Sequence, residues 1–266
     1  MGPVAEFFEA MEPVKKAAET VVLPERIPVI VKTTTDSKEL FGWALSSWVA
    51  NFDPASIQAA AARLGKIISD EERYLLVKYL GEVRRVGVLA GGTWTNLGAM
   101  HSTAPKAHRD FMSALGVARD VVRFKEAVLV PDALEKLKQA CAAYPDPTQV
   151  FAGFRPAGKR SFDNCFAKSL ALLQTTLDKP SVMAKELHEA RKDGSRQLIN
   201  MHMLAALHTG DDGSRRVYLW LWRIDNDLGK LNDRVVKGEI SENEVVEVKP
   251  EWKQLLQEYI ERVSGV

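Results

Sequence analysis

Cationic side chains are the groups most able to do chemistry in this sequence, and they recur through its middle. Arg119 and Arg123 are four residues apart, so they would share one face of a helix. The cations of this series span roughly 130 residues: Arg84, Arg85, Arg119, Arg123, Lys125, Arg155, Lys159, Arg160, Lys185, Arg191, Lys192, Arg215 and Arg216. A series of this length is typical of a groove lining that pairs with phosphates, while Tyr74, Tyr79 or Phe124 could stack on bases.

The net charge of +1 conceals this basic middle. Residues 73–160 carry 14 basic and 7 acidic groups, whereas residues 1–72 carry 7 and 11 and residues 239–266 carry 3 and 7. Such a distribution indicates a polyanion site in the centre of the chain. The alternative is that many of these cations are ordinary helix-surface residues, each paired with a nearby Asp or Glu.

Motifs for catalysis, metals and cofactors are missing from the sequence. It has no GxxxxGK[ST] or GxGxxG phosphate loop, no GxSxG nucleophile elbow and no HExxH pair. His202 and His208 are six residues apart, and Asp225 and Asp227 are two apart, so neither pair shares a helix face. We therefore expect no catalytic residue, no metal site and no cofactor, and we expect the protein not to be an enzyme. RNP, KH and helix-turn-helix signatures are missing too, so sequence-specific recognition is not expected.

Helical periodicity dominates the chain, and the predicted fold class is all-α. Asp36, Asp53 and Ser69 are N-cap signals that open the three predicted helices following the N-terminal region. The pair Gly91-Gly92 is expected to begin a loop, and Gly116 is expected to separate two helices. The remaining helices are expected at 105–115, 117–128, 131–144, 161–177, 181–192, 196–208, 214–228 and 251–263. The segment 144–160 is expected to be a long ordered loop, and no internal repeat is expected.

The N-terminal region is expected to act as an arm. Residues 1–22 place Phe7, Phe8 and Met11 on one apolar stripe of a helix. The linker that follows, within 23–35, contains Pro24 and Pro28 and favours an extended chain. We expect the arm to pack on a neighbouring copy and build a homo-oligomer; packing on its own lobe is the alternative.

Cellular context is constrained by what the sequence omits. Cys141 and Cys165 cannot form a disulfide framework, so they are expected to be reduced thiols in a cytosolic compartment. No apolar run reaches the roughly 18 residues of a membrane span. The acidic N-terminus is unlike a secretory leader.

Three stretches, in order, are similar to nucleocapsid proteins of phenuivirus-type (phlebovirus and tenuivirus) segmented negative-strand RNA viruses. They are WVANFDPASIQAAAARLG at 48–65, AYPDPTQVFAG at 143–153 and AKSLALLQ at 167–174. The sequence departs from the family at Gly81, where an arginine would be expected. Arg119 falls on the family's Arg-bearing helix, and Lys185 is a shifted equivalent of another family cation.

The resemblance implies a viral nucleoprotein with two helical lobes, 36–128 and 129–266, around an RNA-binding cleft, preceded by the arm and linker at 1–35. It would coat single-stranded genomic RNA without sequence specificity and polymerise through its arm into rings or filaments. The viral polymerase would be a further partner, and the protein would occur in the virion and the host cytoplasm. The alternative is a helical matrix or coat subunit that assembles without an RNA groove.

Overall fold

The computed structural model describes residues 22–25, 34–66, 68–99, 103–124, 130–207 and 212–264. The predicted arm, with Phe7, Phe8 and Met11, lies outside these ranges, as does Lys125. Self-association through the arm therefore stays a prediction.

The all-α prediction is confirmed, because the described residues form ten helices and a single two-stranded sheet. The helices are α1 Thr34–Asn51, α2 Pro54–Leu64, α3 Asp70–Leu97, α4 Lys106–Arg123, α5 Val130–Ala143, α6 Pro147–Val150, α7 Lys159–Leu177, α8 Ala184–Leu207, α9 Asp212–Val236 and α10 Pro250–Ser264. Strands β1 Ser181–Met183 and β2 Val245–Glu247 pair antiparallel, with Val182 opposite Val246. No described helix has both the length and the apolar character that membrane crossing requires.

Several helix starts follow the predicted capping chemistry. The Asp53 carboxylate accepts hydrogen bonds from the backbone N–H groups of Ala55 and Ser56, and Pro54 occupies the first position of α2. The Ser69 hydroxyl accepts the N–H of Glu72 at 3.1 Å and opens α3. The expected loop at 144–160 instead contains α6, and α7 already begins at Lys159.

Glycines that were expected to break helices lie inside continuous ones. Helix α3 runs through Gly91 and Gly92, and α4 runs through Gly116. These expectations are wrong because a glycine also allows another element to approach its helix closely. At Gly91, a Cβ would stand 2.9 Å from the ring of His108 on α4, so only glycine fits there.

Contacts divide the described residues into two units. The first covers 41–155, and the second covers 22–40 with 156–264. This division falls later than the expected boundary at 128/129, because α5 packs on α2 and α4 of the first unit. In the first unit α3 packs on α4, and in the second α8 packs on both α7 and α9.

A buried polar chain organises the core of the first unit. The Trp48 indole N–H donates to the Tyr144 hydroxyl at 3.1 Å, and that hydroxyl lies 2.9 Å from Nδ1 of His108. Nε2 of His108 is 2.9 Å from the carbonyl oxygen of Gly87. A carbonyl can only accept, so Nε2 carries the proton and Nδ1 accepts from Tyr144. Burial lowers the pKa of His108 to about 4, which keeps the ring neutral.

The second unit joins the two ends of its described chain. The guanidinium of Arg262 on α10 donates to the carbonyl oxygens of Leu23 at 3.3 Å and Pro24 at 2.9 Å. Leu23 and Pro24 are buried. The start of the predicted linker is therefore docked on its own chain.

Candidate polyanion-binding site

A six-residue motif occurs twice in the chain, once in each unit. Residues 82–87 read EVRRVG on α3, and residues 189–194 read EARKDG on α8. In each copy the residue two positions before the Glu is a leucine with no more than 1% of its surface exposed, Leu80 or Leu187. The expectation of no internal repeat is therefore wrong. The signal was present in the sequence as Leu-x-Glu-(Val/Ala)-Arg-(Arg/Lys)-x-Gly.

A second motif also occurs twice and lies on the packing partners of those helices. Residues 115–122 read LGVARDVV on α4, and residues 228–235 read LGKLNDRV on α9. Because α3 packs on α4 and α8 packs on α9, each unit brings one copy of each motif together. Each unit therefore contains the same helix pair.

The first arginine of the motif lies over the glycine of the facing helix in both units. A Cβ at Gly116 would stand 3.1 Å from Nε of Arg84 and 3.8 Å from its Cζ. A Cβ at Gly229 would stand 3.5 Å from Nη2 of Arg191 and 3.6 Å from its Cζ. We call the Arg84–Gly116 contact the first seam and the Arg191–Gly229 contact the second seam. The repeated glycine gives each planar guanidinium a place to lie against the neighbouring helix.

The second cation of the motif has a different role. Arg85 Nη1 is 3.3 Å from Glu82 Oε2, and Lys192 Nζ is 2.5 Å from Glu189 Oε1. Both pairs join residues three apart on one helix. The hydrogen bond from Lys192 lowers the pKa of Glu189. The first cation of the motif therefore contacts the facing helix, whereas the second forms an ion pair with a glutamate of its own helix.

Arg119 extends the first seam by one helical turn. Its Cδ would lie 3.9 Å from a Cβ at Gly81, so the glycine at this position leaves room for the arginine stem. Its guanidinium binds one oxygen of Asp120, with Nη2–Oδ1 at 2.6 Å. Position 81, where the viral family would have an arginine, is a glycine here, and it makes room for Arg119 from the facing helix.

A carboxylate adjoins the second seam. Asp225 lies one turn before Gly229 on α9, and its Oδ1 accepts the Ser195 hydroxyl at 2.6 Å. The same oxygen is 3.6 Å from Nε of Arg191. Burial raises the pKa of Asp225, against the opposing effects of the Arg191 charge and the Ser195 hydrogen bond.

The other cations predicted from the sequence occupy scattered positions. Arg123 ends α4 and lies 4.9 Å from the ring centroid of Phe124. Arg155 is exposed in the first unit. In the second unit Lys159 pairs with an aspartate of its own helix at 2.6 Å, Arg160 is exposed in the first turn of α7, and Lys185 Nζ donates to the side chain of Asn243 at 3.1 Å. The structure groups Arg84, Arg85, Arg119 and Arg123 on one helix pair, and their ligands stay a prediction.

The comparisons with known proteins identify a family. A family model described as CHAD domain matches residues 47–241, which is well over half of the chain. No curated protein and no solved structure is significantly similar to the chain. Both seams and both copies of each motif lie inside the matched range.

The resemblance to viral nucleocapsid proteins is wrong, because the three stretches that carried it lie inside the CHAD match. Structurally, these stretches are local helix signals. The Asp-Pro pairs at 53–54 and 146–147 are N-caps of α2 and α6, and AKSLALLQ is an ordinary stretch of α7. Such signals occur in unrelated helical proteins. The nucleoprotein function is therefore withdrawn, and the polymerase partner and the virion and host locations lose the support they drew from it.

Proposed function

The chain belongs to the CHAD-domain family, and from that membership and the two seams we propose that it binds inorganic polyphosphate without catalysing a reaction on it. The family is associated with the binding of polyphosphate and metabolites. Polyphosphate is a linear polyanion, which suits a chain whose middle carries an excess of cations. Single-stranded RNA, the partner expected from the sequence, is the competing ligand in the test below.

The observation that carries the proposal is the repeated placement of an arginine over a glycine. A guanidinium presents a fork of N–H donors that matches two oxygens of a phosphate. Packing Arg84 and Arg191 against a neighbouring helix restricts their rotamers before any ligand binds, which lowers the entropy lost on binding. Phosphate contacts of this kind carry no sequence information and suit a uniform polymer.

Two buried titratable side chains that could act as an acid or a base are already engaged within the fold. Within the described ranges, no group of three or more His, Cys, Asp or Glu residues is placed to hold a metal ion. The buried His108 is committed to Tyr144 and Gly87. Asp225 is committed to Ser195 and Arg191. In this proposal the arginines of the seams bind phosphate oxygens and perform no chemical step.

The test compares two double variants with the same change in net charge. R84Q/R191Q removes the arginine of each seam, and R85Q/K192Q removes the adjacent cation that pairs with its own helix. Affinity for long-chain polyphosphate is measured by fluorescence anisotropy at fixed salt, with circular dichroism to check folding. We expect R84Q/R191Q to lose about tenfold affinity for each arginine, since a charged hydrogen bond contributes about 1.5–3 kcal/mol. R85Q/K192Q should lose less than about threefold.

Two results would contradict the proposal. If both double variants lose affinity equally, general charge and not the seams attracts the polymer. If random single-stranded RNA at equal phosphate concentration binds the wild type more tightly than polyphosphate does, the ligand is not polyphosphate.

A further inference from the structure

We propose that Asp225 competes with phosphate for Arg191. The Asp225 carboxylate neutralises the Arg191 guanidinium and so weakens polyanion binding at the second seam. This inference rests on the proposed function, because it concerns how one of the two seams is tuned. A carboxylate and a phosphate can each pair with a guanidinium, and the Asp225 carboxylate belongs to the same chain as Arg191.

The geometry shows a charge pair that leaves guanidinium donors available. The distance from Arg191 Nε to Asp225 Oδ1 is 3.6 Å, which is beyond ordinary hydrogen-bond length. The short hydrogen bond to this carboxylate, at 2.6 Å, comes from the Ser195 hydroxyl instead. Asp225 therefore neutralises Arg191 by Coulomb attraction while Ser195 fixes the position of the carboxylate.

The first seam has an uncharged residue at the position that Asp225 occupies in the second seam. When residues 115–122 are aligned with 228–235, Met112 corresponds to Asp225. When residues 82–87 are aligned with 189–194, Val88 corresponds to Ser195. Arg84 nevertheless lies over Gly116 as Arg191 lies over Gly229. The packing of arginine on glycine thus occurs with an uncharged thioether at the position of Asp225.

Exposure argues against a purely structural ion pair. The Arg191 side chain is 33% exposed, although its Nε is buried and makes no hydrogen bond, whereas the Asp225 side chain is 18% exposed. A partly hydrated arginine does not require a buried partner in order to stay charged, since its pKa exceeds about 12. A ligand phosphate approaching from solvent would meet an arginine whose charge is already balanced.

The variant that tests this keeps the shape and removes the charge. In D225N the side-chain oxygen can still accept the Ser195 hydroxyl. The amide keeps the size of the carboxylate and removes only its charge, and circular dichroism checks that the variant is folded. D225M installs the residue of the first seam and serves as the second variant should D225N fail to fold.

The control is E251Q, which removes one charge of the same sign from the same unit. Glu251 is an exposed partner of Arg223, with Nη2–Oε1 at 3.2 Å. The E251Q substitution therefore also releases an arginine from its carboxylate. In fluorescence anisotropy with long-chain polyphosphate, D225N and D225M should bind about five- to tenfold more tightly than the wild type. E251Q should change affinity by less than about twofold.

A double-variant cycle assigns the gain to Arg191. R191Q and R191Q/D225N should bind polyphosphate with the same affinity, because no guanidinium remains for the carboxylate to neutralise. The inference is overturned, and the proposed function stands, if the wild type binds polyphosphate but D225N and D225M bind no more tightly than it does. An equal gain in affinity for E251Q would overturn the inference in the same way. If the wild type does not bind polyphosphate, the proposed function fails and the inference falls with it.

Discussion

Arg84 and Gly116 form the tightest of the arginine–glycine contacts: a Cβ at Gly116 would stand 3.1 Å from Nε of Arg84. At the corresponding Gly229, the nearest atom of Arg191 would be 3.5 Å away, which is ordinary van der Waals contact. The same glycine position is therefore sterically demanding in the first seam and relaxed in the second.

This difference predicts unequal effects of Gly→Ala. G116A should displace the Arg84 guanidinium by a few tenths of an ångström and weaken polyphosphate binding, by less than R84Q does. G229A should leave affinity unchanged and raise stability by up to about 1 kcal/mol, because alanine favours the helix. Fluorescence anisotropy and urea unfolding of the two variants measure both effects. Equal loss of affinity in G116A and G229A would contradict the seam geometry.

The stability of the first unit should depend on pH through His108. The pKa of this 2% exposed histidine is about 4 in the fold, against 6.5 for a free imidazole. The unfolded chain therefore binds the proton more readily, and stability is fully present above about pH 6.5 and lost as pH falls towards 4. The total loss is about 3 kcal/mol.

Urea unfolding at several pH values between 4 and 7 measures this loss. H108Q should be less stable at pH 7, because it disrupts the bonds to Tyr144 and Gly87, and its stability should vary less with pH over this window. A wild type and H108Q with parallel pH dependence would show that His108 is not the titrating group.

Polyphosphate affinity should rise through Asp225 as the pH is lowered. Its pKa is raised by burial, so it becomes neutral at a higher pH than an exposed aspartate does, and Arg191 then loses its intramolecular counter-charge. We expect the affinity of the wild type to approach that of D225N as pH falls. Anisotropy titrations of both proteins across the same pH range measure the difference, and a constant ratio between them would contradict this prediction.

Arg262 should hold the N-terminal end of the second unit in place. R262A removes the donors to the carbonyls of Leu23 and Pro24 and should lower stability by about 1–3 kcal/mol. R234A is the control, because Arg234 is an exposed partner of Glu239. Hydrogen exchange near residues 22–25 should accelerate in R262A alone. Equal exchange rates in the two variants would show that the guanidinium does not anchor this segment.

The local parts of this fold were accessible from the sequence. Asp53 and Ser69 cap helices through hydrogen bonds to residues two or three positions later, so a short window contains all the necessary information. The helical class was predictable for the same reason. The resemblance failed because it was built from such local signals, which many helical proteins share.

The parts that depend on a facing helix were not accessible one residue at a time. Gly91 and Gly116 resemble helix breakers until His108 and Arg84 are seen to lie against them. The distinct roles of Arg84 and Arg85 follow from which helix each one meets. Comparing the chain with itself would have shown the duplicated motif and, with it, the two arginines of the seams.

The contact between Leu23 and Arg262 joins residues 239 positions apart, which has a consequence for biosynthesis. At about 5–20 residues per second, a ribosome needs roughly 10–50 s to add the intervening chain. For that interval Leu23, buried in the finished protein, has not yet met the guanidinium that holds its carbonyl. The Leu23 end of the second unit is therefore made before its partner helix and can dock only after α10 has left the ribosome.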